Sequence, residues 1–158
     1  MLGTLAKWLR ILGFDTLFDP DLDDHQLVRL ARAEGRVLLT RDRQLALRRG
    51  VQVLLVTSEH LEDQIRQVLV DVYREEPGSI PERSFSRCPV CNESLEPLDV
   101  RAAGNKVPPY VARTHKVFSH CPRCDRVYWR GSHWQRMEER LAQLLRPGAP
   151  MTNDVAGT

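Results

Sequence analysis

The sequence contains no long hydrophobic run, although 42% of its 158 residues are hydrophobic and 28% are charged. Its apolar stretches are only a few residues long, so none could span a bilayer. The N-terminus lacks a short basic segment followed by an apolar one, so it does not resemble a secretory signal. This composition is typical of a soluble globular protein and argues against wholesale disorder. We therefore expect a cytoplasmic protein with no membrane partner.

The chain also has little net charge, +2 at pH 7, but the charge is unevenly distributed. Residues 1–75 hold 11 basic and 12 acidic side chains, whereas the remainder holds 12 basic and 9 acidic ones. This asymmetry is compatible with a metal-dependent nuclease joined to a module that binds nucleic acid. On such small numbers, ordinary solubility charge is the simpler interpretation.

Hydrophobic periodicity in the first half alternates between helix and strand. Helices are predicted at 2–12, with Lys7 and Arg10 on the outer face, from Asp23 to Gly35, at 44–49 and at 61–72. Strands are predicted at 15–18, 37–39 and 51–57. Strands that alternate with helices favour an α/β fold with a parallel sheet covered on both faces.

Two prolines and a glycine interrupt the pattern between residues 75 and 81. We place a linker at 76–83, which separates a domain at 1–75 from a second domain at 84–146. The second domain closes with an amphipathic helix from about residue 133 to 145. The small and polar tail at 147–158 is expected to be disordered.

All four cysteines lie in two Cys-Pro-x-Cys pairs, Cys88 with Cys91 and Cys121 with Cys124. Two such turns can supply the tetrahedral set of thiolates that zinc prefers, so the sequence predicts a zinc ribbon. Disulfides do not suit a chain without a secretion signal, and a redox motif would need only one pair beside a βαβ unit. Iron could bind four thiolates, but zinc is the better default. Because all four ligands come from protein, the zinc is expected to be structural.

Carboxylates mark a second candidate site in the first half. Asp42 follows a predicted parallel strand, where open α/β sheets place their ligands, and Asp23 and Asp24 begin the preceding helix. Clustered carboxylates can hold Mg²⁺ or Mn²⁺ against a phosphate. The alternative is that Asp23 or Asp24 is only an N-cap and that Asp42 caps the short helix after it, and composition does not decide between the two.

The chain resembles the Mut-seven C-terminal RNase family, a branch of PIN-like nucleases with an appended zinc ribbon. The segment that starts Met-Leu-Gly-Thr-Leu-Ala-Lys-Trp carries the first match, and the segment that ends Tyr-Trp-Arg-Gly-Ser-His-Trp carries the last. The matching segments are residues 1–16, 24–27, 36–42, 87–91, 107–109 and 121–134.

The resemblance implies a PIN-like fold that gathers acids around Mg²⁺ or Mn²⁺ to hydrolyse RNA. Asp24 and Asp42 match two of these acids, with Asp23 as a less secure neighbour. Arg41 and Arg43 flank Asp42 and are candidates for contact with substrate phosphates, or else solvated arginines at a helix start. A regulatory protein partner is also compatible with the family.

One departure concerns the first strand. In the family, a strand that ends in an acid precedes the Met-Leu-Gly segment, whereas this sequence begins at Met1. We expect either a shortened N-terminus or a member that has lost catalysis. Glu59 and Asp63, which follow the last predicted strand, could supply a substitute acid.

The segment from Tyr128 to Trp134 places aromatic and basic residues side by side. Aromatics beside basic groups can stack on unpaired bases and bind phosphates, although packing of a small metal domain is the simpler role for the rings. Arg130 and His133 are the better candidates for contact with RNA. His133 is not expected to bind the zinc, because four thiolates complete the set.

Two functions follow from these predictions. The first is a metal-dependent ribonuclease whose zinc ribbon aids RNA binding. The alternative is a catalytically inactive nucleic-acid-binding or adaptor protein.

Overall fold

The computed structural model describes residues 2–74 and 81–146. Its first half contains helices and two short strands. In order these elements are α1 (Gly3–Ile11), α2 (Asp24–Glu34), β1 (Leu38–Thr40), α3 (Arg43–Ala46), β2 (Val53–Leu55) and α4 (Leu61–Asp71). The four predicted helices and two of the three predicted strands are thereby confirmed.

Local sequence signals explain where α2 begins and ends. The Asp23 side chain accepts a hydrogen bond from the Gln26 amide at 2.8 Å, and the Gln26 side chain accepts one from the Asp23 amide at 2.9 Å. This reciprocal capping box satisfies two amides that the helix itself cannot pair. Gly35 ends the helix at φ +63°, a left-handed conformation that glycine adopts without steric cost.

The parallel sheet of the first half consists of β1 and β2. Leu38 lies opposite Val53, and Thr40 lies opposite Leu55. The Val56 amide continues the ladder by donating to the Thr40 carbonyl at 2.7 Å. Because the pair is parallel, the carboxyl ends of both strands meet at one edge of the sheet.

The predicted strand at 15–18 is wrong. Its backbone groups bond to side chains and not to a neighbouring strand: the Thr16 amide donates to Asn92 Oδ1 at 3.0 Å, and the Thr16 carbonyl accepts from Arg10 Nε at 2.7 Å. The short helix and the last strand are also shorter than predicted, since α3 ends at Ala46 and β2 covers three residues.

The second half is built on a three-stranded antiparallel sheet in the order β3-β4-β5. Two short helices lie between its first and second strands in the chain. The elements are β3 (Glu96–Leu98), α5 (Val100–Ala103), α6 (Pro109–Thr114), β4 (Phe118–His120), β5 (Val127–Tyr128) and α7 (Ser132–Leu144). The observed α7 agrees with the predicted closing helix to within a residue at each end.

The largest hydrophobic cluster contains residues from both halves of the chain. Leu9 of α1, Ile65 of α4 and Leu141 of α7 each have an exposed fraction of at most 1%. Full burial of one such side chain stabilises the fold by roughly 1.5–3 kcal/mol. The closing helix is therefore packed on α4, and the cysteine-bearing half shares a core with the α/β half.

The division into domains at 1–75 and 84–146 stays a prediction. Most of the predicted linker and the whole predicted tail at 147–158 lie outside the described residues. Within the described ranges, none of the helices has the length and apolar character needed to cross a membrane.

Candidate metal centre and acidic cleft

The four cysteines converge on one point between the two Cys-Pro-x-Cys loops. The four Sγ atoms all lie within 4.8 Å of one another. Cys88 and Cys121 are fully buried, whereas Cys91 and Cys124 are partly exposed. The predicted ligand set is therefore assembled by the fold.

The two cysteine loops share one backbone geometry. In the first loop the Cys88 amide donates to the Glu93 carbonyl at 2.8 Å, and the Asn92 amide donates to the Cys88 carbonyl at 2.9 Å. The second loop repeats both bonds, starting from Cys121 and from Asp125. Asn92 and Asp125 occupy left-handed conformations, at φ +69° and +57°, which these side chains tolerate better than most. The turn therefore includes the residue that directly follows each Cys-Pro-x-Cys, and this residue must adopt the left-handed conformation.

Crowding and hydrogen bonding separate the acidities of the thiols. Burial opposes ionisation of Cys88, but hydrogen bonds from the Tyr128 hydroxyl, 3.0 Å from Sγ, and from the backbone outweigh it and lower the pKa of Cys88 to about 7. The adjacent Cys91 side chain, together with burial, raises the pKa of Cys124 to about 12. Burial likewise raises the pKa of Cys121. Four thiolates at this spacing therefore need a cation to be stable together.

The donor set fits a soft divalent metal. Four thiolates without carboxylate or imidazole favour zinc or iron over Mg²⁺ or Mn²⁺. A complete tetrahedral set leaves no open position for a water or substrate, which is typical of a structural site. The arrangement is compatible with zinc, and His133 does not belong to the cluster.

Helix α1 holds the first cysteine loop through Arg10. The guanidinium Nη1 donates to the Pro89 carbonyl at 3.0 Å and to the Val90 carbonyl at 3.2 Å, while Nε donates to the Thr16 carbonyl. The prediction that Arg10 lies on the outer face of α1 is wrong, because its exposed fraction is only 8%. The carbonyl groups of the cysteine loop satisfy the buried cation, which explains how the helix tolerates it.

Asn92 provides a second link between the cysteine loop and the first half. Its Nδ2 donates to Asp15 Oδ1 at 2.6 Å, and its Oδ1 accepts from the Thr16 amide at 3.0 Å. Burial opposes ionisation of Asp15, but hydrogen bonds from Arg36 and Asn92 outweigh it and lower the pKa of Asp15. Sequence reasoning missed both Arg10 and Asn92; the Asn or Asp that follows each cysteine pair was the available signal.

A cleft of about 340 Å³ lies between α1, α2 and β1. Most of its wall is aliphatic, and carboxylates stand among the aliphatic residues. We call it the acidic cleft, and its walls include Leu5, Leu9, Asp24, Leu27, Leu38 and Asp42. Two of the three predicted acids, Asp24 and Asp42, therefore share one cavity. Asp23 does not line it.

The predicted capping roles of Asp23 and Asp42 are confirmed. Asp42 Oδ1 accepts from the Gln44 amide at 2.7 Å and from the Leu45 amide at 3.3 Å, which caps α3. Both bonds fall on one oxygen, so Asp42 can still offer Oδ2 to a ligand. Capping and metal binding are thus not exclusive for Asp42.

The acids do not converge as the cysteines do. Among residues 2–74 and 81–146, the four cysteines are the only group of three or more side chains placed to hold a metal ion. Asp63 is fully buried and accepts a hydrogen bond from the Ser58 hydroxyl at 3.1 Å, whereas Glu59 pairs with Arg41 at 3.6 Å. Neither residue lines the acidic cleft with Asp24 and Asp42.

The predicted RNA-contacting residues lie in two places. Arg41 donates to the Ser58 carbonyl and so joins the ends of the two parallel strands, and Arg43 is exposed at the start of α3. In the second half, the Arg130 guanidinium lies 5.3 Å from the Phe85 ring centroid. The exposed His133 ring lies 5.6 Å from that of Trp8.

The aromatic residues after the second cysteine pair serve partly in packing, which is the simpler of the two roles predicted for them. Trp134 is 5% exposed and belongs to the shared core. Tyr128 contacts the metal centre through Cys88, and Trp129 is partly buried. The rings therefore connect the metal centre to the core.

Comparison with known proteins gives one match. A family model described as Mut7-C RNAse domain matches residues 1–141, which is most of the chain. Neither a curated protein nor a solved structure gives a significant match. The family assignment therefore rests on the family model together with the motifs and the geometry above.

Proposed function

Since the chain belongs to the Mut7-C RNAse domain family, we propose that it is a metal-dependent ribonuclease that hydrolyses phosphodiester bonds in RNA. The observation that carries this proposal is the acidic cleft, because Asp24, at the start of α2, and Asp42, which follows the carboxyl end of β1, both line it. Ligand sites of open α/β sheets lie at such strand ends. We further propose that the first half is PIN-like.

Asp24 and Asp42 would hold Mg²⁺ or Mn²⁺, and Asp23 would position Asp24 by capping α2. Two carboxylates are a sufficient protein contribution, because Mg²⁺ usually keeps several waters and binds substrate phosphate as well. When bound, the ion supplies charge stabilisation and a more acidic water for attack on phosphorus. Arg43, exposed beside Asp42, would contact a substrate phosphate, with Arg41 behind it.

The cysteine centre would bind structural zinc and hold the ribbon against α1. This arrangement fixes Arg130 and His133, which we propose contact RNA. A reducing compartment keeps thiols available to the metal, in agreement with a cytoplasmic location. Zinc analysis of purified, reduced protein tests this part: we expect one zinc per chain, and less than half an equivalent would contradict it.

Cleavage of single-stranded RNA in the presence of Mn²⁺ tests the enzyme. We expect Asp42→Asn and Asp24→Asn each to lower the rate by about 100-fold or more, since each removes a charged ligand that acts in the transition state. Asparagine caps helices about as well as aspartate, so the Asp42→Asn protein should fold normally.

Asp99→Asn is the matched control. Asp99 caps the four-residue helix α5 as Asp42 caps the four-residue helix α3, but it lies in the other half of the chain. We expect its cleavage rate to stay within a factor of two of wild type, roughly the scatter expected of a neutral surface change. If all four proteins cleave equally, the acidic cleft is not the active site.

The alternative function is a non-catalytic nucleic-acid-binding or adaptor protein. The observation in its favour is that Asp15, Asp19, Asp24 and Asp42 line the cleft, yet no three carboxylates of the described residues lie close enough together to hold one ion. The same experiment decides, since absence of Mn²⁺-dependent cleavage by the wild-type protein, with RNA binding retained, would select the adaptor.

A further inference from the structure

A second groove of about 340 Å³ lies against α1, with its other wall formed by the first cysteine loop and the start of α7. Lys7 and Trp8 line this groove, whereas Leu5 and Leu9 line the acidic cleft, so α1 is a wall shared by both cavities. We call it the aromatic groove, and we define it by Lys7, Trp8, Arg87, Trp129, His133 and Trp134.

All three tryptophans of the chain line the aromatic groove. The rings of Trp8 and Trp134 are nearly parallel, with an interplanar angle of 15° and centroids 6.3 Å apart. Phe85 meets Trp134 edge-on at 4.7 Å. Trp8 and Trp134 belong to the core, whereas Trp129 and Phe85 keep part of their surface exposed. The groove thus presents the partly exposed rings of Trp129 and Phe85 beside the buried rings of Trp8 and Trp134.

The indole N–H of Trp134 is unusual in this wall. It is buried, and no atom of the described residues accepts its hydrogen bond. Buried donors in proteins almost always have a partner, so an unsatisfied one calls for an explanation. An acceptor on a ligand could reach this N–H only after a local rearrangement of the wall, because the nitrogen is closed to solvent.

Lys7, Arg87 and His133 line the groove, and none of its lining residues within the described part of the chain is acidic. The Arg130 guanidinium lies 5.7 Å from the Trp134 ring centroid, just beside them. A neutral peptide would gain nothing from these cations, whereas a ligand that combines a flat ring with a negative charge would use both features.

We propose that the aromatic groove binds one unpaired nucleotide of a single-stranded RNA, with the base against the aromatic rings and the phosphate beside Lys7 and Arg130. The volume is within the range of small-ligand pockets, about 300–1,000 Å³. This inference rests on the proposed function for its choice of RNA. It adds Lys7, Trp8 and Trp129 to the RNA-contacting residues.

The shared wall relates this site to the acidic cleft. A helix with its side chains is about 10–12 Å across, so the two cavities are separated by roughly that distance. A strand held in the groove by one nucleotide can therefore pass over α1 and present a phosphodiester bond a few nucleotides away to the acids. The groove would position the substrate and take no part in the chemistry.

Intrinsic tryptophan fluorescence of the full chain is a direct probe, because every tryptophan lies in the groove. We expect a single-stranded RNA of about 12 nucleotides to quench it saturably without divalent metal, with an affinity that Trp129→Ala lowers by about 5- to 100-fold. Lys7→Glu, at an exposed position that should not disturb folding, is expected to lower the affinity at least about 5-fold. Lys116→Glu, exposed outside the groove, is the matched control and should bind as wild type.

Three results would contradict nucleotide binding in the aromatic groove. The first is absence of quenching, and the second is an equal loss of RNA affinity in Lys7→Glu and Lys116→Glu. The third is quenching by duplex RNA as strong as by the single strand. Cleavage separates this proposal from the previous one: a wild-type protein that quenches but does not cleave disproves the ribonuclease and leaves the groove standing. A protein that cleaves RNA without quenching disproves the groove and leaves the ribonuclease standing.

Discussion

The cysteine centre and the acidic cleft are two candidate metal sites built by opposite means. In the first, paired ligands with two residues between them are fixed by a repeated turn, and four Sγ atoms lie within 4.8 Å of one another. In the second, Asp24 and Asp42 come from separate elements and are exposed. A closed set of four protein ligands holds a metal for stability, whereas exposed carboxylates in an open cleft leave room for substrate.

The difference extends to what surrounds each site. The first cysteine loop is tied to the first half of the chain by two buried residues: Arg10 donates to the loop from α1, and Asn92 of the loop donates to Asp15. The acids are held by helix caps on the surface. We therefore expect metal loss from the cysteine centre to destabilise the fold. Metal loss from the acidic cleft should abolish only the cleavage reaction.

Cys121→Ser is expected to have the largest effect on stability among the variants that test this comparison. It removes a buried ligand and leaves three thiolates, which should lower the free energy of unfolding by at least about 4 kcal/mol, or Tm by about 10 °C or more. Because α7 packs on α4, the loss should affect the whole chain and not only the ribbon. Thermal unfolding followed by circular dichroism, together with zinc content, measures it.

Asp24→Asn serves as the counterpart of Cys121→Ser in the acidic cleft. Asp24 is exposed, so its replacement should change the free energy of unfolding by no more than about 0.5 kcal/mol. Equal losses of Tm in the two variants would show that both metals are structural. A Cys121→Ser protein with normal Tm and full zinc would remove the structural role of the cysteine centre.

The contrast also explains what could be predicted from the sequence. The cysteine ligands were predictable because Cys-Pro-x-Cys is a local pattern whose geometry hardly depends on distant residues. Helices α1, α2 and α7 were predictable from periodicity, and α2 also from Asp23 and Gly35. That Asp24 and Asp42 share one cleft depends on the packing of α2 against β1, and no spacing in the sequence specifies it.

Two errors had a common physical cause. Arg10 is charged and was therefore placed on the outer face of α1, yet its guanidinium is buried and donates to the carbonyls of Pro89 and Val90. The backbone at Thr16 was predicted as a strand, but its partner is the Asn92 side chain. In both cases, the polar partner lies in the cysteine loop. Long-range polar contacts of this kind override local propensity and cannot be read from periodicity.

Arg10→Met tests whether the surroundings of the cysteine centre contribute to its strength. The substitution keeps an aliphatic side chain but leaves the carbonyls of Pro89 and Val90 without their donor, so we expect a loss of about 2–4 kcal/mol. Faster loss of zinc to a chelator should accompany it. Arg29→Met, at an exposed position on α2, is the control and should cost no more than about 0.5 kcal/mol. Equal losses of stability in the two variants would contradict this role of Arg10.

A stabilisation smaller than the loss expected for Arg10→Met should come from Mn²⁺ at the acidic cleft. If zinc-loaded protein binds Mn²⁺ through Asp24 and Asp42, an excess of about five times Kd should stabilise the folded state by about 1 kcal/mol and raise Tm by about 2–4 °C. Asp42→Asn should abolish this shift, whereas Asp99→Asn, which alters an equivalent helix cap in the other half, should retain it. A shift that persists in Asp42→Asn would place Mn²⁺ elsewhere. A shift lost only in Asp42→Asn and Asp24→Asn would assign the second metal to the cleft, because both oxygen ligands would then be needed.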